Sequence, residues 1–391
     1  MHYILFDGDR RESLLPLTYT RPVAEIRIGI LTLKEKWERY LNSNVEVLTQ
    51  TYLQKKFPLV STDDNVLIKA SLLADESLAG RVGDLQIGEG LFSGDQLLAC
   101  RCKKVSDLDT PERFIRVDYQ KAFSEIRNTW DIFSMNGEAM ESDFDLLTAG
   151  RTSEPISSTN RVTNPERIFL EGGARVEHSI LNASSGPIYI GSDAEVMEGC
   201  LIRGGFALGP HGVVKMGAKI YGPTTAGPYC KIGGEINNSV LFGYSNKGHD
   251  GFLGNAVLGE WCNLGADTNN SNLKNNYAKV RLWNYASGRF DQTGLQFCGL
   301  IMGDHSKSAI NTMFNTGTVV GVNCNIFAAG FPKNFIPSFS WGGTKGFSTY
   351  MPEKAFEAAR VAMERRGVSF TPEDEELMLE VFEMTREYRK D

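Results

Sequence analysis

From Ile190 onward the chain carries a small or apolar residue at every sixth position: Ile190, Val196, Ile202, Leu208, Val214, Ile220, Ala226 and Ile232. Glycine follows several of them, as Gly191, Gly209, Gly227 and Gly233. With about two residues in five apolar, an unbroken run of eight arises by chance less than roughly once in a thousand. A period of six suits neither the 3.6-residue repeat of an amphipathic helix nor the two-residue repeat of a half-buried strand. It suits a parallel β-helix, in which each six-residue unit makes one short strand and one corner of a triangular coil. The apolar residue then points into the prism, and the neighbouring glycine permits the tight corner. The register slips near 240 and resumes at Phe252, Leu258 and Leu264. It breaks for about 30 residues between Asn269 and Gly299, then returns as Met302, Ser308, Phe314, Val320 and Ile326. An excursion of that length is either a substrate-covering arm or a structural hairpin.

The flanks follow other patterns. Residues 1–150 mix short apolar runs (Tyr3–Phe6, Val45–Leu48, Val66–Ile68, Leu97–Ala99) with a helical pattern over Ile28–Tyr40, which predicts a small α/β domain. Residues 151–165 are polar and proline-bearing, as a linker would be. The β-helix is expected over 166–345 and C-terminal helices over 346–391, at Pro352–Arg366 and Pro372–Arg389. Thr371-Pro372-Glu373-Asp374 makes a good helix start, with a capping hydroxyl, proline at the first position and acids in the first turn.

Composition narrows the classes. The chain has 391 residues, is 41% hydrophobic and 23% charged, and most of its 40 glycines fall in the coil repeat. No apolar run approaches the roughly 20 residues of a membrane span. The start, Met1-His2-Tyr3-Ile4-Leu5-Phe6-Asp7, lacks a basic n-region, so neither a signal peptide nor a membrane partner is expected. A net charge of −7 argues against a phosphate-tracking nucleic-acid binder. Seven cysteines, Cys100, Cys102, Cys200, Cys230, Cys262, Cys298 and Cys324, contain no CxxC pair. They read as buried free thiols of a reduced compartment, with cytoplasm the expected location.

Two stretches carry candidate chemistry. The first, Phe6-Asp7-Gly8-Asp9-Arg10-Arg11-Glu12, follows an apolar strand and leads to Pro16-Leu17-Thr18 and Thr20-Arg21-Pro22. Such a loop can present backbone N–H groups and arginines to phosphates, although an exposed charged turn is a competing explanation. The arrangement resembles the signature loop of sugar-1-phosphate nucleotidyltransferases. That resemblance implies nucleotide binding by Gly8, Asp9, Arg10, Arg11 and Arg21, with Mg2+ as cofactor and no residue assigned to the metal. Arg21 stands where that family has a lysine, and the domain is shorter than the family norm.

The second stretch, Asn246-Lys247-Gly248-His249-Asp250-Gly251-Phe252-Leu253-Gly254, follows the register slip, where a coil must bulge. Its histidine lies between glycines, where imidazole titrates near neutrality and can serve as a base; a surface histidine in a turn is the alternative. The run continues into Gly259-Glu260-Trp261-Cys262-Asn263-Leu264-Gly265-Ala266-Asp267-Thr268, and residues 190–330 resemble the acetyltransferase domain of the GlmU family. The resemblance implies a left-handed coil, a homotrimer and acetyl-CoA as co-substrate. It makes His249 the general base and Glu235 an acid that orients the site. It assigns substrate contacts to Lys219, Phe252, Asn263, Asn272 and Ala266. Asn237 stands where that family has a lysine. In trimeric members the excursion reaches the adjacent subunit.

The function expected from this resemblance is bifunctional: acetyl transfer to glucosamine 1-phosphate, then coupling of the product to UTP. Sugar phosphate, UTP and acetyl-CoA are thus the expected small-molecule partners. An alternative is a single-activity acyltransferase or nucleotidyltransferase on another sugar, the other domain being a sugar-nucleotide sensor or scaffold. A third possibility is a β-helix metalloenzyme of the gamma carbonic anhydrase kind. It is disfavoured because His2, His178, His211, His249 and His305 are scattered with no close pair.

Overall fold

The computed structural model describes residues 1–327 and 329–389. Residues 328, 390 and 391, which the sequence assigns to the coil and the C-terminal helices, lie outside the described residues. Two units partition the chain. The first comprises Met1–Leu14, Thr20–Ile26 and Leu31–Asn128, and the second Leu15–Tyr19, Arg27–Ile30 and the chain from Thr129 onward.

The first unit is built on a six-stranded mixed sheet. Its strands are β1 (His2–Phe6), β2 (Val45–Leu48), β3 (Asn65–Lys69), β4 (Glu89–Ser93), β5 (Gln96–Cys102) and β6 (Ile115–Asp118), in the order β2-β1-β3-β5-β4-β6. β1 runs parallel to both β2 and β3, while β5 is antiparallel to β3 and β4. Tyr3–Phe6 is a continuous apolar run because β1 is covered on both faces. The chain leaves β1 for one neighbour and returns to the other, so a crevice opens beyond the carboxyl ends of β1 and β3. The helix expected over Ile28–Tyr40 starts later, at Leu33. Thr32 accepts a hydrogen bond from the Glu35 N–H and Glu35 accepts one from the Thr32 N–H, a capping box that sets the boundary.

The second unit is a parallel β-solenoid of the left-handed β-helix type with about ten turns, followed by helices. Its three sheet faces carry the six-residue period in rotation. Ile190, Leu208 and Ala226 point inward from one face, Val196, Val214 and Ile232 from the second, and Ile202 and Ile220 from the third. All eight are at most 2% exposed. The register slip is a shortening of the coil. Equivalent inward positions are 18 residues apart at Ile202 and Ile220, but 15 apart at Ile232 and Lys247. The inward residues after Ile232 become Ile236, Leu241, Lys247 and Leu253. Phe252, placed inward by strict counting, therefore points outward, because a one-residue shift in a strand exchanges its two faces. Met302, Ser308, Phe314, Val320 and Ile326 are buried as the resumed period requires.

The coil begins inside the segment expected as a linker. Arg161–Thr163 is its first strand and pairs in parallel with Ile180–Asn182. The helix Asn136–Thr148 is grouped with the solenoid unit, whose longest continuous part starts at Thr129. Its Asn136 amide donates to Thr225 Oγ1 at 3.1 Å and to the Pro223 carbonyl at 3.0 Å. The excursion folds into an antiparallel hairpin, Arg281–Asn284 with Arg289–Gln292. Trp283 stacks on Phe335 at 4.2 Å, which holds the hairpin on its own chain. The segment 346–391 opens with a strand, Gly346–Thr349, paired with Ser340–Gly343. Helices Pro352–Glu364 and Pro372–Met384 follow, the second with the Thr371–Asp374 capping box. All seven cysteines are buried free thiols.

Candidate functional site

The crevice of the first unit is a cleft of about 630 Å³ lined by Asp7, Gly8, Asp9, Arg10, Thr49, Lys69, Asp95 and Gln96, among others. Asp7 follows β1 directly and is buried. Burial pushes its carboxyl up, against hydrogen bonds from Thr49 Oγ1 at 2.5 Å and the Val23 N–H at 2.8 Å. Lys69 ends β3 with its ammonium at the cleft floor, 2.6 Å from Asp9 and 2.8 Å from Glu125. Glu125 is buried and also meets Arg10 at 3.3 Å and Arg127 at 2.9 Å. Burial alone would raise its carboxyl, but these cations hold it down at about 2. Gly8 turns with φ +65°, and its bare Cα lies against the Lys69 stem, where a Cβ would meet Cε at 3.3 Å.

Of the five residues expected to bind nucleotide, Gly8, Asp9 and Arg10 line this cleft. Arg11 instead turns to Tyr52, whose hydroxyl it reaches at 2.5 Å, and to Asp7 at 3.6 Å. Arg21 is buried away from the cleft lining. Lys69 and Glu125 escaped the sequence argument. The available signal was a lysine closing the apolar run Val66–Ile68.

The solenoid carries a second cleft, of about 730 Å³. Four residues along one sheet face supply its floor: Lys231, Asn246, Asn263 and Lys307 stand in register on successive coils. Lys215, Tyr244, Trp261, His249 and Ala266 add to the lining, and Ala362, Arg365 and Arg366 arrive from the C-terminal helix and its following turn. Arg366 donates to Asn246 Oδ1 at 3.0 Å. Among the described residues no acidic side chain lines this cleft. The charge of Arg366, then burial, then Lys215 and Arg365 push the Lys231 ammonium down, and burial pushes Lys307 down. Tyr244 stacks on Trp261 at 4.2 Å, the centre of a ladder of rings from His211 through Tyr229 to His305.

His249 stands exposed at this cleft, on the corner that joins the strands Asn246–Lys247 and Phe252–Gly254. Gly234, with φ +71°, lets that corner lie close on the coil before it; a Cβ there would meet the His249 carbonyl at 2.7 Å. The structure thus brings together His249, Asn263 and Ala266. Lys219 and Glu235 line a different depression, of about 620 Å³, on the adjoining sheet face. There Glu235 accepts a hydrogen bond from the Tyr221 hydroxyl at 2.6 Å, which pushes that phenol up to about 12. Phe252 is in register with Glu235, and Asn272 donates to Asn255 Oδ1 at 2.8 Å. No hydrogen bond joins His249 to Glu235 among the described residues.

Residues 3–152 match the sugar nucleotidyl transferase family. Over these residues the chain is similar to that family. A search of curated proteins finds no match. Among solved structures, the polySia-specific acetyltransferase NeuO is similar at 11% identity and TM-score 0.24, covering 49% of this chain and 87% of that one. The UDP-N-acetylglucosamine acyltransferase of Arabidopsis is 15% identical, with TM-score 0.23 and coverages of 60% and 82%. That of Campylobacter jejuni is 16% identical, with TM-score 0.19 and coverages of 61% and 86%. Among the described residues no helix is long and apolar enough to cross a membrane, and no group of three or more His, Cys, Asp or Glu side chains is placed to hold a metal ion.

Proposed function

We propose that the chain is a bifunctional transferase of sugar-nucleotide synthesis, acetylating glucosamine 1-phosphate from acetyl-CoA and coupling the product to UTP. The observation that carries the acyl-transfer half is the cleft in which His249 meets five cations and no acid. Lys215, Lys231, Lys307, Arg365 and Arg366 suit the phosphates of a coenzyme A thioester, and Tyr244 and Trp261 suit its adenine face. The His249 imidazole takes a proton as the sugar amine attacks the thioester carbonyl. The C–N bond forms, the C–S bond breaks, and the thiol leaves with a proton.

For the nucleotidyl half, the family match over residues 3–152 supports the assignment. Lys69 and Arg10 line the crevice beyond β1 and β3 and would meet the phosphates of the triphosphate. Asp9 and Asp95 are the exposed carboxylates lining the cleft and would be the side chains to hold Mg2+, Asp9 once released from Lys69; the ion takes one or two carboxylates and shares the rest of its shell with phosphate and water. Bound there, Mg2+ would neutralise charge on the triphosphate.

The test is a mass-spectrometric product analysis with glucosamine 1-phosphate, acetyl-CoA, UTP and magnesium, with His249→Ala run in parallel. UDP-N-acetylglucosamine from the native protein, with its acetylation step lost in the variant, is expected. Acetylated sugar phosphate without the nucleotide sugar would remove the uridylyl half. Full acetylation by His249→Ala would remove the base assignment.

A further inference from the structure

We infer that Lys247 positions the His249 corner from inside the solenoid, clamping it to the preceding coil; the catalytic part of this inference rests on the role proposed for His249. On this sheet face the inward position is mostly apolar, filled by Val176, Val196, Val214, Ile232, Leu264 and Ile326, with the small residues Ser308 and Gly342 in the later coils. Lys247 takes the same place and is 1% exposed. An ammonium in an apolar prism is costly unless its donors are satisfied. All three N–H bonds find backbone carbonyls: His249 at 2.5 Å, Asp250 at 3.2 Å and Gly233 at 3.3 Å.

The choice of acceptors gives the arrangement its meaning. Two carbonyls belong to the corner that bears His249, and the third belongs to the coil beneath it. Among the described residues, the carbonyls of His249 and Gly233 receive no other hydrogen bond. Gly234, next to Gly233, is the residue whose missing Cβ allows this approach. A methionine or leucine would fill the same volume without the desolvation cost, so packing does not account for a lysine. Holding a short, glycine-flanked corner does.

The test combines Lys247→Met, His249→Ala and the double variant in the full-length protein. Hydrogen exchange of amides 248–251 should be at least tenfold faster in Lys247→Met, with the coils over 206–232 unchanged. With acetyl-CoA and glucosamine 1-phosphate, kcat should fall at least tenfold while KM for acetyl-CoA stays within twofold. In the His249→Ala background, Lys247→Met should add nothing further. Unchanged exchange at the corner, or losses that add in the double variant, would overturn the inference. If Lys247→Met does not fold, Lys247→Gln, which keeps an amide donor, is judged by the same exchange. If the native protein acetylates nothing, the proposed function fails, and corner exchange alone decides whether Lys247 is the clamp.

Discussion

The two clefts of this protein treat positive charge in opposite ways. In the N-terminal unit, Lys69 is locked between Asp9 and the buried Glu125, and Arg10 shares the same carboxylate. In the solenoid, five cations line one wall with no acid among them, and none makes an ion pair among the described residues. The first cleft supplies its own counter-charge, so an incoming phosphate must displace the exposed Asp9 from Lys69. The second leaves its charges uncompensated, which is why the Lys231 ammonium is pushed down. Like charges held together favour a multiply charged anion over any single carboxylate. On the proposed function, one cleft exchanges partners and the other captures.

The sharpest break in this contrast would come from His249→Ala. Acetyl transfer should drop roughly 10²–10⁴-fold, the usual worth of a positioned base, with uridylyl transfer unchanged in a paired assay. Next in size is Lys69→Met. Removing one partner of a buried pair leaves Glu125 short of counter-charge, so urea denaturation should show the N-terminal unit weakened by roughly 3–5 kcal/mol, the solenoid keeping its own transition.

A pH titration separates the units further. Glu125 sits at about 2 against an ordinary 4.5, so the stability it lends is complete above pH 4.5 and is lost as pH falls toward 2. The loss is on the order of 3 kcal/mol, and Glu125→Gln should flatten it. The charged form of Lys247 acts oppositely, costing stability where ionised Glu125 lends it, though stability again rises with pH. Burial pushes its ammonium down to about 8, against the opposing charges of Asp250 and Asp267. Its burial therefore costs stability below that pH, and the solenoid should gain stability as pH rises from 8 toward 10.5 in a native-minus-Lys247→Met comparison. The smallest effect is expected from Arg366→Ala. KM for acetyl-CoA should rise several-fold and become less salt-dependent, since one of five screened charges is removed.

Much of the fold was legible because a coil repeats. Each inward position faces the same interior, so Ile190 through Ile232 spell out the prism with no knowledge of what packs where. Legibility failed where the coil changed length. Counting by six put Phe252 inside, whereas shortened corners put Leu253 there and turned Phe252 outward. The candidate site was partly legible. His249, Asn263 and Ala266 share one cleft, while Lys219 and Glu235 line another face. Arg11, taken as a phosphate ligand, turns to Tyr52 and Asp7, and Arg21 is buried off the cleft lining. Lys69 and Glu125 lie 56 positions apart in sequence, and nothing local announces that they pair.

What the sequence determined by itself is periodic or local: the coil, the buried cysteines, the capped last helix and the corner where histidine sits between glycines. These depend on the nearest neighbours along the chain or on a repeat that recurs each turn. Tertiary structure decided which charges meet. It brought Arg365 and Arg366 to a wall laid down by Lys215, Lys231 and Lys307, and it set an ammonium inside the prism beneath His249. Electrostatic partnership depends on distance in space and on how much water is excluded, and neither quantity is written in the spacing of residues along a chain.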